Sequence, residues 1–123
     1  MLKRTTLMLA LVASPVLAED LPQAIDCYQS GVNAKDIDAY MACFTEEAEM
    51  IDVSRVFNGQ DAIRAWAERE VIPSGDTFRH REILEQAEGY AKTEVNWLSW
   101  VVHYSYWWDG EGQITKMSLQ YAN

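Results

Sequence analysis

From Thr77 to the C-terminus, short β-type segments follow one another with almost no chain between them. Thr77 to Ala87 alternates, with Phe78, His80, Glu82, Leu84 and Gln86 assigned to one face. Glu88-Gly89 is a turn signal, Tyr90 to Leu98 a second strand, and Trp100 to Trp108 a third. Asp109-Gly110-Glu111-Gly112 reads as a hairpin loop before a last strand, Gln113 to Tyr121. Strands joined by such short turns pair antiparallel, because a parallel partner needs a crossover of a dozen residues or more. The first half of the chain has a different period. Helical patterns come first and strands last, which is an α+β arrangement.

Leu21, Ala24, Ile25, Tyr28 and Val32 recur at helical spacing, so residues 21–33 form an amphipathic helix, with Gly31 inside it at some cost. Asn33-Ala34-Lys35 is a turn, and Asp36 is suited to cap the next helix. Ile37, Tyr40, Met41 and Phe44 carry that second helical stripe. Cys27 and Cys43 lie about equally far from the turn, one on each arm of the hairpin. A bridge between them is one reading, and two buried thiols the other. Glu49 to Val53 is a short strand with Met50, Asp52 and Ser54 on one face. Val56-Phe57 leads into an Asn58-Gly59 turn. Residues 61–72 form a third helix, with Ile63, Trp66, Ala67 and Val71 as its stripe and Pro73-Ser74-Gly75-Asp76 as its end.

The N-terminus sets the compartment. Lys3-Arg4, an apolar run from Leu7 to Val12 and Val16-Leu17-Ala18 have the form of a secretory leader cleaved after Ala18. The expected division is therefore a signal peptide, 1–18, and one domain, 19–123, in a periplasmic or secreted location. An uncleaved membrane anchor is the other reading, but the apolar run is well short of a bilayer span. The net charge is −9 with the leader included. A surface of that sign repels phosphate backbones and anionic lipid, so nucleic acid and membrane are not expected partners. Two distant histidines and two cysteines make no recognisable ligand cluster, so no metal or other cofactor is expected.

Three segments carry a family resemblance: Asn33-Ala34-Lys35-Asp36-Ile37-Asp38, then Phe44-Thr45-Glu46-Glu47-Ala48, then Gly59-Gln60-Asp61-Ala62-Ile63. Together with the Asp109–Ile114 hairpin they resemble the nuclear-transport-factor-2-like (NTF2-like, or SnoaL-like) superfamily. The resemblance covers nearly all of the chain after the leader. It implies a cone-shaped fold, three N-terminal helices packed on a curved antiparallel sheet, enclosing a pocket. It also implies a homodimer through the outer sheet face, to which Ile51, Val53, Val101, His103 and Trp107 would contribute.

Within that superfamily, Ile25 to Asp52 resembles bacterial ketosteroid isomerases without a gap. The resemblance places Asp52 on their catalytic base and Tyr28 on their oxyanion-hole tyrosine, and it sets Tyr104 where they have a protonated aspartate. Those isomerases are a worked example of carboxylate tuning, so the mechanism is carried over by analogy. The fold itself hosts enzymes, ligand carriers and interaction modules. Two functions follow. One is acid–base isomerase or cyclase chemistry on a small apolar organic molecule, with Asp52 as base and Tyr28 and Tyr104 as donors. Phe44, Trp66, Trp100, Tyr106 and Met117 would line its pocket. The other is a non-catalytic binding or interaction module. His80 has two readings, an acid–base group paired with Glu82 or a plain cross-face pair.

Overall fold

A computed structural model describes residues 21–122. The segment expected to be a leader, Met1 to Ala18, lies outside them. Helix α1 spans Gln23–Asn33 and buries Ala24, Ile25, Tyr28, Gly31 and Val32, the stripe the sequence marks. Asp36 caps α2, Ile37–Met41, by accepting from the Ala39 amide at 3.1 Å. The second helix stops there, short of Phe44. Phe44 instead opens strand β1, Phe44–Asp52, which is longer than the Glu49–Val53 segment expected. Its N-terminal part is recruited by the last strand: Phe44 is opposite Ile114, with an irregularity before Glu49. Strand β2, Arg55–Asn58, was not anticipated as a strand and pairs back on β1. Helix α3, Gln60–Glu70, follows, then a 3-10 segment, Ile72–Thr77.

Strands β3, Arg79–Ala87, β4, Tyr90–Trp97, β5, Trp100–Trp108, and β6, Ile114–Tyr121, complete one curved, unclosed sheet in the order β2-β1-β6-β5-β4-β3. Two expectations need correction. The sheet is mixed, because β1 runs parallel to β6 while the other pairs are antiparallel. Short turns decide orientation only between sequence neighbours, and β1 reaches β6 from across the chain. The helices are also not all N-terminal, since α3 sits between β2 and β3, and the 3-10 segment adds a further helical piece.

The core lies between α1, α2, α3 and one face of this sheet. Cys27 and Cys43 form a disulfide with Cα atoms 5.9 Å apart, tying α1 to the residue before β1. Among the described residues, no helix is long and apolar enough to cross a membrane.

Candidate functional site

The strand register aligns the inward residues in rows across the sheet. One row runs Asp52, Leu119, Tyr104, Thr93, Ile83. On one side of it lies Met50, Met117, Tyr106, Ala91, and on the other Tyr121, Val102, Val95, His80. Tyr28 comes down from α1 onto this face. Its ring centroid is 5.7 Å from Tyr104, 5.5 Å from Tyr106 and 5.0 Å from Tyr40 of α2. The structure thus brings Tyr28 and Tyr104 together. Asp52 is near enough that its charge adds to the burial raising the Tyr104 hydroxyl.

Burial dominates this interior. Tyr28, Tyr40, Tyr104 and Tyr106 have no exposed surface, and loss of hydration pushes all four phenols well above their usual range. They are therefore protonated donors at neutral pH. The Tyr40 and Tyr28 hydroxyls share a hydrogen bond at 3.4 Å. The buried Tyr104 hydroxyl meets no partner among the described residues, and neither does Thr93 Oγ1. For Tyr106, burial raises the phenol while the nearby Thr93 hydroxyl pulls the other way.

His80 is bound at both ring nitrogens. The Gln29 side-chain oxygen accepts the His80 backbone N–H at 2.8 Å, so the contact of that same oxygen with Nδ1, also 2.8 Å, requires a proton on Nδ1. Burial lowers the His80 pKa to about 3, so the ring is neutral and Nε2 is bare. The Tyr106 hydroxyl, 3.2 Å away, therefore donates to Nε2. Neither the acid–base pair with Glu82 nor the plain cross-face pair survives. β3 is irregular between His80 and Glu82, which turns Glu82 to solvent and Ile83 to the core.

Asp52 is buried, and Oδ2 carries its bonds: Arg55 forms an ion pair with it, and the Trp66 indole N–H donates at 3.1 Å. Arg55 also grips Glu70, at 3.0 and 2.6 Å. Those two carboxylates raise the Arg55 pKa, and the Arg55 hydrogen bond is the main force lowering that of Glu70.

The expected lining residues divide. Phe44, Trp66, Tyr106 and Met117 are packed in the core, their surfaces shared with neighbouring side chains. Trp100 instead stands 39 % exposed, edge-on to Tyr121 at 5.5 Å and to Trp97 at 5.4 Å. With Leu98 and Tyr121 it forms an aromatic margin that the helices leave uncovered, next to Asp52 and Arg55, whose charges Tyr121 feels. Two surface clefts, of about 420 and 470 Å³, lie elsewhere, at Glu88–Trp108–Asp109 and Glu46–Asn58–Asp61. Of the residues expected at a dimer face, Ile51, Val101, His103 and Trp107 are half-buried and Val53 is exposed.

No family model and no curated protein matches this sequence. Solved structures do. A SnoaL-like protein of unknown function from Burkholderia thailandensis superposes with a TM-score of 0.71 at 15 % identity, over 82 % of this chain and 93 % of its own. An NTF-2 like protein of unknown function from Burkholderia xenovorans gives 0.63 at 13 %, over 82 % and 81 %. The chain has the NTF2-like, SnoaL-like fold. A third protein with this fold, from Sinorhizobium meliloti and provisionally named a polyketide cyclase, gives 0.67 at 20 %, over 85 % of this chain and all of its own. In the NTF2-like domain described here, the three residues singled out from the sequence, Asp52, Tyr28 and Tyr104, are all buried. Sequence reasoning gave no role to Tyr40, marked only as part of a helical stripe, to Thr93, or to Gln29, which lies off the apolar stripe of α1.

Proposed function

We propose that this exported domain binds a small, largely apolar carbonyl compound inside its cone-shaped interior and moves a proton on it. The Tyr28 and Tyr104 hydroxyls hydrogen-bond the carbonyl oxygen, and Asp52 takes the adjacent C–H proton. The observation that carries this reading is the Tyr104 hydroxyl, buried with no partner within hydrogen-bond distance among the described residues and beside Tyr28. Leaving a polar group unmade in such a place costs about 1–3 kcal/mol, and a carbonyl or enolate oxygen removes that cost. Because the bonds to Asp52 fall on Oδ2, Oδ1 is the atom that receives the proton. Arg55 can remain on Glu70 while Asp52 turns toward the ligand. The Trp100–Tyr121 margin is the route of entry, and the ligand parts the aromatic rings as it goes in.

The ion pair of Asp52 with Arg55 favours a second reading, binding without turnover, because Arg55 and the Trp66 indole already occupy the carboxylate. Proton exchange separates the two. In heavy water with 1-tetralone, the acid–base reading expects deuterium at the carbon beside the carbonyl. Asp52→Asn should then lose about 10²–10⁴ of the rate, and Tyr104→Phe should weaken both binding and rate. Binding without exchange in wild type would establish a carrier or sensor. Absence of binding would remove both readings.

A further inference from the structure

Two hairpin tips at one end of the sheet carry residues that folding alone does not favour. Val53, after β1, has a φ of 60°, and Leu98, after β4, a φ of 55°. That left-handed region suits glycine, asparagine or aspartate, and a β-branched residue is strained in it. Each side chain is also apolar and about half in solvent, 43 % exposed for Val53 and 52 % for Leu98. Asparagine would serve both turns better, in backbone conformation and in hydration. The strand register puts the two tips at the same end, where β6 finishes and β5 begins. Val56, Trp100 and Tyr121 are exposed there as well. The net charge of −9 opposes contact with lipid only if it is evenly spread, and it is not. The acids of the two surface clefts, among them Glu46, Asp61, Glu88 and Asp109, gather at the opposite end of the strands. Near the apolar rim, Asp52 and Glu70 are paired to Arg55, and Asp76 to Lys35. Arg79 and Arg81 are exposed beside the Leu98 tip and meet no carboxylate among the described residues. Arg79 donates to the Asp76 and Phe78 carbonyls, and Arg81 to the Asn96 side-chain oxygen at 3.1 Å.

We infer that this rim docks on the surface of a phospholipid bilayer. Val53 and Leu98 enter the acyl boundary, and Trp100 and Tyr121 lie at headgroup depth, where amphipathic rings are at home. Arg79 and Arg81 take lipid phosphates, for which a planar guanidinium is well suited. The strain and exposure of the two tips are then the cost of an interaction rather than a defect of the fold. The same pose turns the acidic clefts away from the headgroups, so the negative charge of the molecule does not oppose the contact. It also sets the Trp100–Tyr121 margin against the lipid, so an apolar compound passes between bilayer and domain without crossing water. The docking does not depend on the carbonyl reading above and holds whether or not any ligand is turned over.

The test is flotation of the processed protein, shown by mass to begin at Glu19, with vesicles of mixed phosphatidylethanolamine and phosphatidylglycerol. Wild type should float with the vesicles, and brominated acyl chains should quench its tryptophan emission, less so in Trp100→Phe. The double variant Val53→Asn/Leu98→Asn should bind at least about tenfold more weakly, since both apolar tips are lost. It should melt no lower than wild type, because asparagine relieves both turns. Arg79→Gln/Arg81→Gln should also weaken binding by about tenfold or more, and this difference should shrink in high salt. Failure of wild type to bind these vesicles would overturn the docking and leave the rim to a protein partner. Unchanged binding in both double variants would overturn it as well, by placing the contact elsewhere. Vesicle binding by a protein that takes up no 1-tetralone would leave the docking standing and remove only the carbonyl reading.

Discussion

His80 shows at residue scale how burial writes a pH dependence into this domain. A histidine in the unfolded chain titrates near 6.5, whereas burial holds the folded ring neutral down to about pH 3. Its neighbours are Gln29, Phe78 and Tyr106, none of them charged at neutral pH, so nothing offsets the cost of an imidazolium. Between these two values the unfolded chain binds a proton that the folded one does not. Stability is therefore fully present above pH 6.5 and is lost as pH falls toward 3. Between pH 7 and 5 the loss should be about 2 kcal/mol. Urea unfolding across that range measures it, and in His80→Gln most of the slope should vanish. A slope unchanged by the substitution would mean that the ring is not held neutral. Glu70, whose carboxyl is lowered by Arg55, loses stability in the same direction at lower pH. Of this residue-level detail the sequence exposed only part. Asp52, Tyr28 and Tyr104 stand on inward-facing periods and could be placed. The role of His80 could not, because it depends on a bulge after it and on Gln29 arriving from a helix 51 residues away in sequence.

Elements meet most closely where α1 ends. Gly31 looks like a flaw in a helix, yet a Cβ there would come within 2.8 Å of the Tyr40 Cα, so its absence is what lets α2 fold against α1. Gly75 in the 3-10 segment is tighter still. A Cβ would fall 2.1 Å from the Val32 carbonyl oxygen, and backbone cannot yield as a side-chain tip does. Asn33 fastens the same junction, donating to the Gly75 and Phe78 carbonyls at 3.0 and 2.8 Å. Gly75→Ala should therefore cost at least about 1–3 kcal/mol, the usual range for overpacking. Gly110→Ala, with nothing near its Cβ, should leave the urea midpoint almost unmoved. Equal midpoints for the two variants would refute the close contact. Periodicity located α1, α3 and strands β4 to β6 to within a few residues, since each has one buried face. It failed at Phe44, whose helical spacing from Tyr40 and Met41 is real but is overridden when β6 supplies a strand partner. It also failed at the Leu98–Ser99 turn, where Leu98 takes a φ of 55° that no glycine or asparagine advertises.

At the scale of the whole molecule, the parallel β1–β6 pair joins the first strand to the last, so the six-stranded sheet is complete only when both ends of the chain have met. The Cys27–Cys43 bridge acts on a different part of the problem. It closes a loop of sequence separation 16 and ties α1, across α2, to the start of β1. In the chain-entropy model such a loop is worth about 3 kcal/mol, mostly by removing freedom from the unfolded chain. For a domain of this size that corresponds to a melting shift on the order of 10–20 °C. The double variant Cys27→Ala/Cys43→Ala should show this fall. Its consequence should also reach the site, because Cys27 immediately precedes Tyr28 and Cys43 precedes Phe44, rings 6.2 Å apart. Affinity for 1-tetralone should then weaken in the variant even well below its melting point, where nearly every molecule is folded. A lowered melt with unchanged affinity would confine the bridge to the unfolded ensemble, and an unchanged melt would show that the packed hairpin holds itself together without it.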